Sequence, residues 1–338
     1  MPTELAAQTD PRPASRRGPR PVPAPSHIYH AQAHIFGGQL DHPIKQPIEH
    51  YGNVVLENSR RETHLAQKVG ETSIEGLISF KSGHTRVIGT QVKNKQDIFG
   101  NDHEGWVTLA TAVLEGFNVV DIVTADRVVA QVSTEHPLKQ GQVPKVTFLG
   151  TRFENLQIGG YPVEVELDLG ICGEKPDRDR PYLADEGFLD RVEQQLRSVT
   201  GAKGFPKGLT KHFEPKITHI DGLKNRVNGG AKGKRNGYPK VQCSLVKSIA
   251  PIPIPGVKIF GNLIFIPNFG TIALAELEVG IAPAHGHGFS KSQGGSSSEP
   301  AYSHYFTLHM FDMKLGCPVG GSGKGPGVTA NGQGSGPG

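Results

Sequence analysis

Alternation of apolar and polar residues dominates the middle of this chain. In PVEVELDLG, Val163, Val165, Leu167 and Leu169 fall on one face and Glu164, Glu166 and Asp168 on the other, the period of a half-buried strand. Just upstream, KVTFLGTRFENLQIGGYP places Val146 and Phe148 on a strand and offers Gly159-Gly160 for a turn, so the two runs read as a hairpin or meander. WVTLATAVLEGFNVVDIVTADRVVAQVST reads as two more strands turning at Glu115-Gly116-Phe117-Asn118, the second covering Val119 to Ser133. Phe260 to Gly280 reads as two short strands hinged on a Pro-Asn-x-Gly turn, and IYHAQAHIF, NVVLE, TSIEGLISF, TRVIGTQV, VQCSLVKSI and SHYFTLHMFDMKLG as shorter β runs. Roughly ten strands in one chain predict an all-β fold, a two-sheet sandwich or jelly-roll-like pair of sheets.

The period changes once. In DEGFLDRVEQQLRSVT, Asp185 is placed to cap a helix over 185–199 whose apolar stripe is Phe188, Leu189, Val192, Leu196 and Val199. Residues 201–240 that follow are rich in Gly, Lys and Asn and predict a long insertion with little regular structure. Residues 1–26, with seven Pro and four Arg, cannot bury enough surface to offset the entropy of ordering, so they read as a disordered arm. Ten Gly among residues 316–338 predict a flexible tail over 319–338, leaving 27–318 as one β domain.

Composition narrows the function classes only a little. The 338 residues carry 36 Lys and Arg against 32 Asp and Glu, a net charge of +4, so any polyanion contact must come from local clustering. Cys172, Cys243 and Cys317 lie far apart with no CxxC pair, which argues against a structural zinc site or a thioredoxin-type motif. Cys243 and Cys317 are the candidate disulfide partners. The N-terminal residues have no apolar run resembling a secretory signal, and no stretch of about 18 apolar residues suggests a membrane span.

Three constellations could carry chemistry. Residues 202–240 hold ten Lys and Arg against two acids, and Lys224, Arg226, Lys232, Lys234 and Arg235 are the candidate polyanion contacts, with GGAKGKRNG able to form an anion-binding nest of backbone N–H groups. The GxxxxGK[ST] spacing of a Walker loop is missing. His285 and His287, upstream of His304 and His309, could gather round zinc or copper, although their spacing is not that of a known motif. His30 and His34, at i and i+4, read as the polar outer face of a strand. Glu164, Glu166 and Asp168 project together as paired carboxylates do in some glycosidases, and Asp126, in a largely apolar strand, calls for a partner such as Arg127 or Arg152. No GxSxG, SxxK or catalytic-type cysteine context is present, and no cofactor is expected.

GNLIFIPNFGTIALAELEVG, followed by YFTLHMFDMKLGCPVGG, resembles the closing region of the choice-of-anchor P family of bacterial proteins through Ile266, Pro267, Gly270, Thr271, Leu274 and Glu276, with Ala275 in place of the usual Asn. VVDIVTADRVVAQVS and TFLGTRFENLQIGGYPV resemble that family's preceding strand and hairpin. The resemblance implies an all-β, surface-associated or secreted bacterial protein without established catalysis. Against it stand the missing signal and anchor, which favour a cytoplasmic location, and the helix and basic insertion of residues 183–240, which the family pattern lacks. It transfers no functional residues.

Together these readings favour a non-catalytic structural or interaction protein whose partner is a protein or a polyanionic surface. Phe306, Leu308, Met310 and Phe311 could support self-association, although a buried central strand accounts for them more simply. The rivals are a hydrolase, which requires two of Glu164, Glu166, Asp126 and His309 to converge in a pocket, and a polyanion-binding protein acting through the basic insertion.

Overall fold

The structure is a computed structural model; it describes residues 26–42, 45–96, 102–137, 143–174, 176, 181–227, 239–283, 302–316 and 320–335. The arm expected over 1–26 lies outside the described residues except for Ser26. Among the described residues 58% lie in strands and 16% in helices, and the fold is all-β.

The chain opens with β1 (Ser26–His34), β2 (Phe36–Leu40), β3 (Gln46–Tyr51) and β4 (Val54–Ser59), all in a first, 11-stranded sheet. It then builds a second, 10-stranded sheet from β5 (Thr63–Val69), β6 (Thr72–Ile74), β7 (Ile78–Phe80), β8 (Ser82–Gln96), β9 (Asp102–Val119), β10 (Val123–Pro137), β11 (Lys145–Thr147), β12 (Arg152–Glu154), β13 (Gln157–Ile158) and β14 (Tyr161–Pro162). After β15 (Val165–Leu167) come the helices α1 (Glu186–Thr200) and α2 (Lys207–Val227). β16 (Lys240–Ser244) rejoins the first sheet, and β17 (Val246–Ile249) pairs with β15. β18 (Lys258–Phe260), β19 (Leu263–Ile266), β20 (Gly270–Pro283), β21 (Tyr302–Leu315), β22 (Gly321–Lys324) and β23 (Gly327–Ser335) complete the first sheet.

The two sheets pack face to face. Tyr29 and Ile35 lie so close to Gly89 and Gly83 of β8 that a Cβ on either glycine would collide with them, and Phe117 of β9 stacks on Phe311 of β21 at 5.3 Å between ring centroids. Phe306, Leu308, Met310 and Phe311 are fully buried in this core, so none of the four is offered to a second copy. In β1 the inward Tyr29, Ala31 and Ala33 alternate with Gln32 and His34, whose side chains therefore point to the outer face of the first sheet.

Several elements follow the sequence pattern. α1 has the predicted stripe buried, and the Asp185 side chain caps it by accepting a hydrogen bond from Phe188 N at 2.7 Å. The Pro-Asn-x-Gly hinge also forms, with Asn268 at φ 59° between β19 and β20.

Others depart from it. The insertion expected to be irregular contains α2, a 21-residue helix with Pro215 inside it, because Phe213, Ile220 and Leu223 recur at helical spacing and bury against the fold. The tail expected to be coil over 319–338 supplies β22 and β23, so the domain does not stop at residue 318; β23 lies between β1 and β21. Its glycines suit the place: a Cβ on Gly323, Gly325 or Gly327 would strike Phe36, Phe311 or His34. β9 also runs straight through the four residues of its expected turn, to Val119.

Candidate functional site

α1 is fixed to the sandwich by side chains that reach backbone groups. Gln195 Nε2 donates to the carbonyls of Ser244 (2.8 Å) and Val246 (3.3 Å), and its Oε1 accepts from Ser244 N at 3.0 Å. One turn earlier, Arg191 donates to the carbonyls of Ile171 and Cys172 at 2.7 and 2.9 Å. α2 is tied to α1 in turn, because Lys224 Nζ bridges Asp190 and Glu193 while Arg197 pairs with Glu193 and Asp221. Hydrogen bonds from Lys224 and then Arg197 hold the Glu193 carboxyl below its usual range.

These pairs involve one of the five candidate polyanion contacts. Lys224 is committed inside the hairpin, Arg226 is exposed in the last turn of α2, and Lys232, Lys234 and Arg235 lie outside the described residues. The outward face of α2 adds Lys207, Lys211, Glu214 and His219, all exposed. Between α2 and β16 lies a pocket of about 360 Å³ lined by Lys216, His219, Lys240 and the apolar Ile220 and Val241. Burial pushes the Lys216 ammonium down, opposed by the charge of Glu276; burial pushes the Glu276 carboxyl up, opposed by Lys216.

Of the four groups named for a hydrolase, Glu164 and Glu166 share a groove, and both are exposed to solvent there. That groove, of about 780 Å³, is also lined by Asn155 and Ser248, and Glu166 is held low by Lys247 at 2.6 Å and Ser248 at 3.0 Å. Neither Asp126 nor His309 lines that groove. Asp126 is exposed and accepts from Asn155 Nδ2 at 3.1 Å; Arg127 and Arg152, its expected partners, pair with Glu115 and Glu154.

The predicted metal set is not brought together either. His285 and His287 lie outside the described residues, while His304 and His309, five positions apart on β21, face opposite sides of the sheet. Among the described residues no three His, Cys, Asp or Glu side chains are grouped to hold a metal. His304 is buried in the core, and burial lowers it to about 4.

His309 instead turns towards His34 and His50 on the outer face of the first sheet, with ring centroids 5.6 Å apart for His34–His309 and 4.6 Å for His34–His50. His34, expected on a solvated face, is buried. Burial, then His309, His50 and Lys324, lower it to about 3; burial and Lys324 lower His309 to about 4, with Glu278 opposing. This cluster draws on β1, β3 and β21, so sequence spacing could not reveal it. The available signal was the pair of polar residues, His30 and His34, inside an otherwise apolar strand.

Cys172 and Cys243 are buried free thiols, and Cys317 lies outside the described residues. The expected Cys243–Cys317 bond therefore falls outside the described residues. Cys243 sits opposite Leu277 of β20, and β21 ends at Leu315 opposite Gly270. Burial pushes Cys243 up to about 12.

Among the described residues no helix is long and apolar enough to cross a membrane. A family described as a domain of unknown function (DUF8256) matches residues 27–280. No curated protein and no solved structure matches the chain.

Proposed function

This chain belongs to the DUF8256 family, and from that premise we propose that it is a non-catalytic interaction protein whose β-sandwich holds the α1–α2 hairpin out towards a partner. The observation that carries this reading is the division of labour within the hairpin. Its inner side is spent on backbone groups of the sandwich through Gln195 and Arg191, and its helix–helix seam on the ion pairs of Lys224 and Arg197. Lys207, Lys211 and Arg226 are left on the exposed face of α2. A rigid scaffold with an exposed charged face favours recognition, because little side-chain or backbone order is lost on binding.

The same basic residues support a polyanionic partner, and the resemblance of residues 260–320 to choice-of-anchor P proteins supports a place at a bacterial surface. The test is retention on heparin-type and nucleic-acid resins at stepped salt, comparing the native chain with Lys207→Glu/Lys211→Glu/Arg226→Glu. Retention that falls steeply with salt, and a loss of at least tenfold in affinity in the triple variant, are expected. Equal retention of both proteins would remove α2 as the contact face.

A further inference from the structure

Where α2 packs against β16, it shapes a site that neither the helix–helix seam nor the exposed basic face uses. Pro215, Lys216, His219 and Ile220 share one face of α2 across a single turn, and with Lys240 and Val241 of β16 they line the pocket of about 360 Å³. Ile220 and Val241 are buried, so the walls are apolar wherever the basic groups are not. Among the described residues no carboxylate lines this pocket. The two lysines differ in what holds them. Lys240 donates to Glu278 at 2.8 Å, so its charge is already matched. Lys216 Nζ donates instead to His212 Nε2 at 3.1 Å, a neutral acceptor, because burial and the nearby ammonium lower that imidazole. Among the described residues no carboxylate comes within ion-pair distance of Lys216. Glu276, whose charge bears on it, is not a wall of the pocket and is itself pushed up by burial. A half-buried ammonium with no carboxylate partner is costly unless an anion joins it.

We propose that this pocket binds a small amphipathic anion, a carboxylate on a short alkyl body, with the carboxylate on Lys216 and the alkyl chain against Ile220, Val241 and Pro215. Its volume is that of a small-molecule site, and such sites are mostly apolar with a few placed polar groups. His212 takes one of the three ammonium protons of Lys216, which leaves donors for a charge-assisted bond to a carboxylate. His219 and Lys240 are exposed, so they stand on the solvent side of the pocket, where their positive potential draws an anion in. Inorganic phosphate would answer Lys216 and leave the apolar walls uncovered, whereas an alkyl body gains by covering them. This site stands apart from the polyanion reading, which concerns the opposite, outward face of α2.

The test is calorimetric titration of the full chain with octanoate at neutral pH and low salt. Octylamine, with the same alkyl body and the opposite charge, and inorganic phosphate, with charge and no body, are titrated beside it. Saturable binding of octanoate is expected, with both others far weaker. Lys216→Met keeps the stem and removes the charge, and should weaken octanoate by about tenfold or more. Lys240→Met, whose charge Glu278 already matches, should weaken it less. The Lys207→Glu/Lys211→Glu/Arg226→Glu variant should bind octanoate as the native chain does, which separates failure here from failure of the polyanion reading. Intermolecular NOEs from octanoate methylenes to the Ile220 and Val241 methyl groups in the unaltered protein provide a second measurement that does not depend on a variant folding. Absence of saturable binding, octylamine or phosphate binding as tightly as octanoate, unchanged affinity in Lys216→Met, weakened affinity in the triple variant, or NOEs to other methyl groups alone would each overturn the proposal.

Discussion

Val120 and Asp121 sit at φ 44° and 56° in the turn between β9 and β10, a left-handed pair that asparagine and glycine adopt far more readily. Asn118 and Asp121 hold the turn together: Asp121 N donates to Asn118 Oδ1 at 2.8 Å, and Asn118 Nδ2 returns a bond to Asp121 Oδ1 at 2.6 Å. A β-branched residue at positive φ is why the sequence hides this turn, while Glu115-Gly116 imitates one. Gly116, at φ 62°, is in fact a kink within β9 beside Lys81, where a Cβ would strike the lysine stem. The hairpin of β6 and β7 repeats the geometry in a simpler form, with Glu75 at φ 51° and Gly76 at φ 64°. Glu75 is exposed, so Glu75→Asn relieves a non-glycine residue in the left-handed region without disturbing the core. It is expected to stabilise the fold by about 1 kcal/mol, read as a rise in the urea midpoint at constant slope.

At the scale of elements, what could be read in advance depended on whether a segment brings its own apolar signal. α1 was legible because its cap and stripe are local, and the strands around Val119–Ser133 and Phe260–Gly280 because their apolar residues are their own. β22 and β23 were not, since rings from Phe36, Phe311 and His34 fill the space that their side chains would otherwise occupy. α2 was obscured by Pro215 and its lysines, which mask an apolar stripe that only the neighbouring elements reveal. The attachment of α1 was equally invisible, because Gln195 gains its role from Ser244 and Val246. Gln195→Ala leaves Ser244 N, in a buried residue, without its side-chain acceptor, and a loss of about 1–3 kcal/mol is expected by chemical denaturation. Gln195→Glu keeps the acceptor at Oε1 but turns a carboxylate oxygen onto the Ser244 and Val246 carbonyls, and should lose at least as much.

For the whole molecule, buried histidines set the response to acid. His27, stacked on Trp106, and His304 are both in the core, and burial lowers each to about 4 from 6.5. Since the unfolded chain binds these protons more tightly, stability is fully present above about pH 6.5 and is lost as pH falls towards 4, by up to about 1.4 kcal/mol per pH unit for each group. The urea midpoint should drop steeply over that window, and His27→Phe/His304→Phe should flatten the drop; an unchanged profile in the double variant would show that other groups dominate. The position of β23 acts at the same scale. Ser26 pairs with Ser335, and β1 and β21 face each other across the strand that holds them apart. Contacts so distant in sequence make folding slow, and until residues 327–335 are in place both neighbours present bare edges along which another nascent chain can pair. Protection from aggregation during synthesis is therefore delayed until the glycine-rich strand arrives.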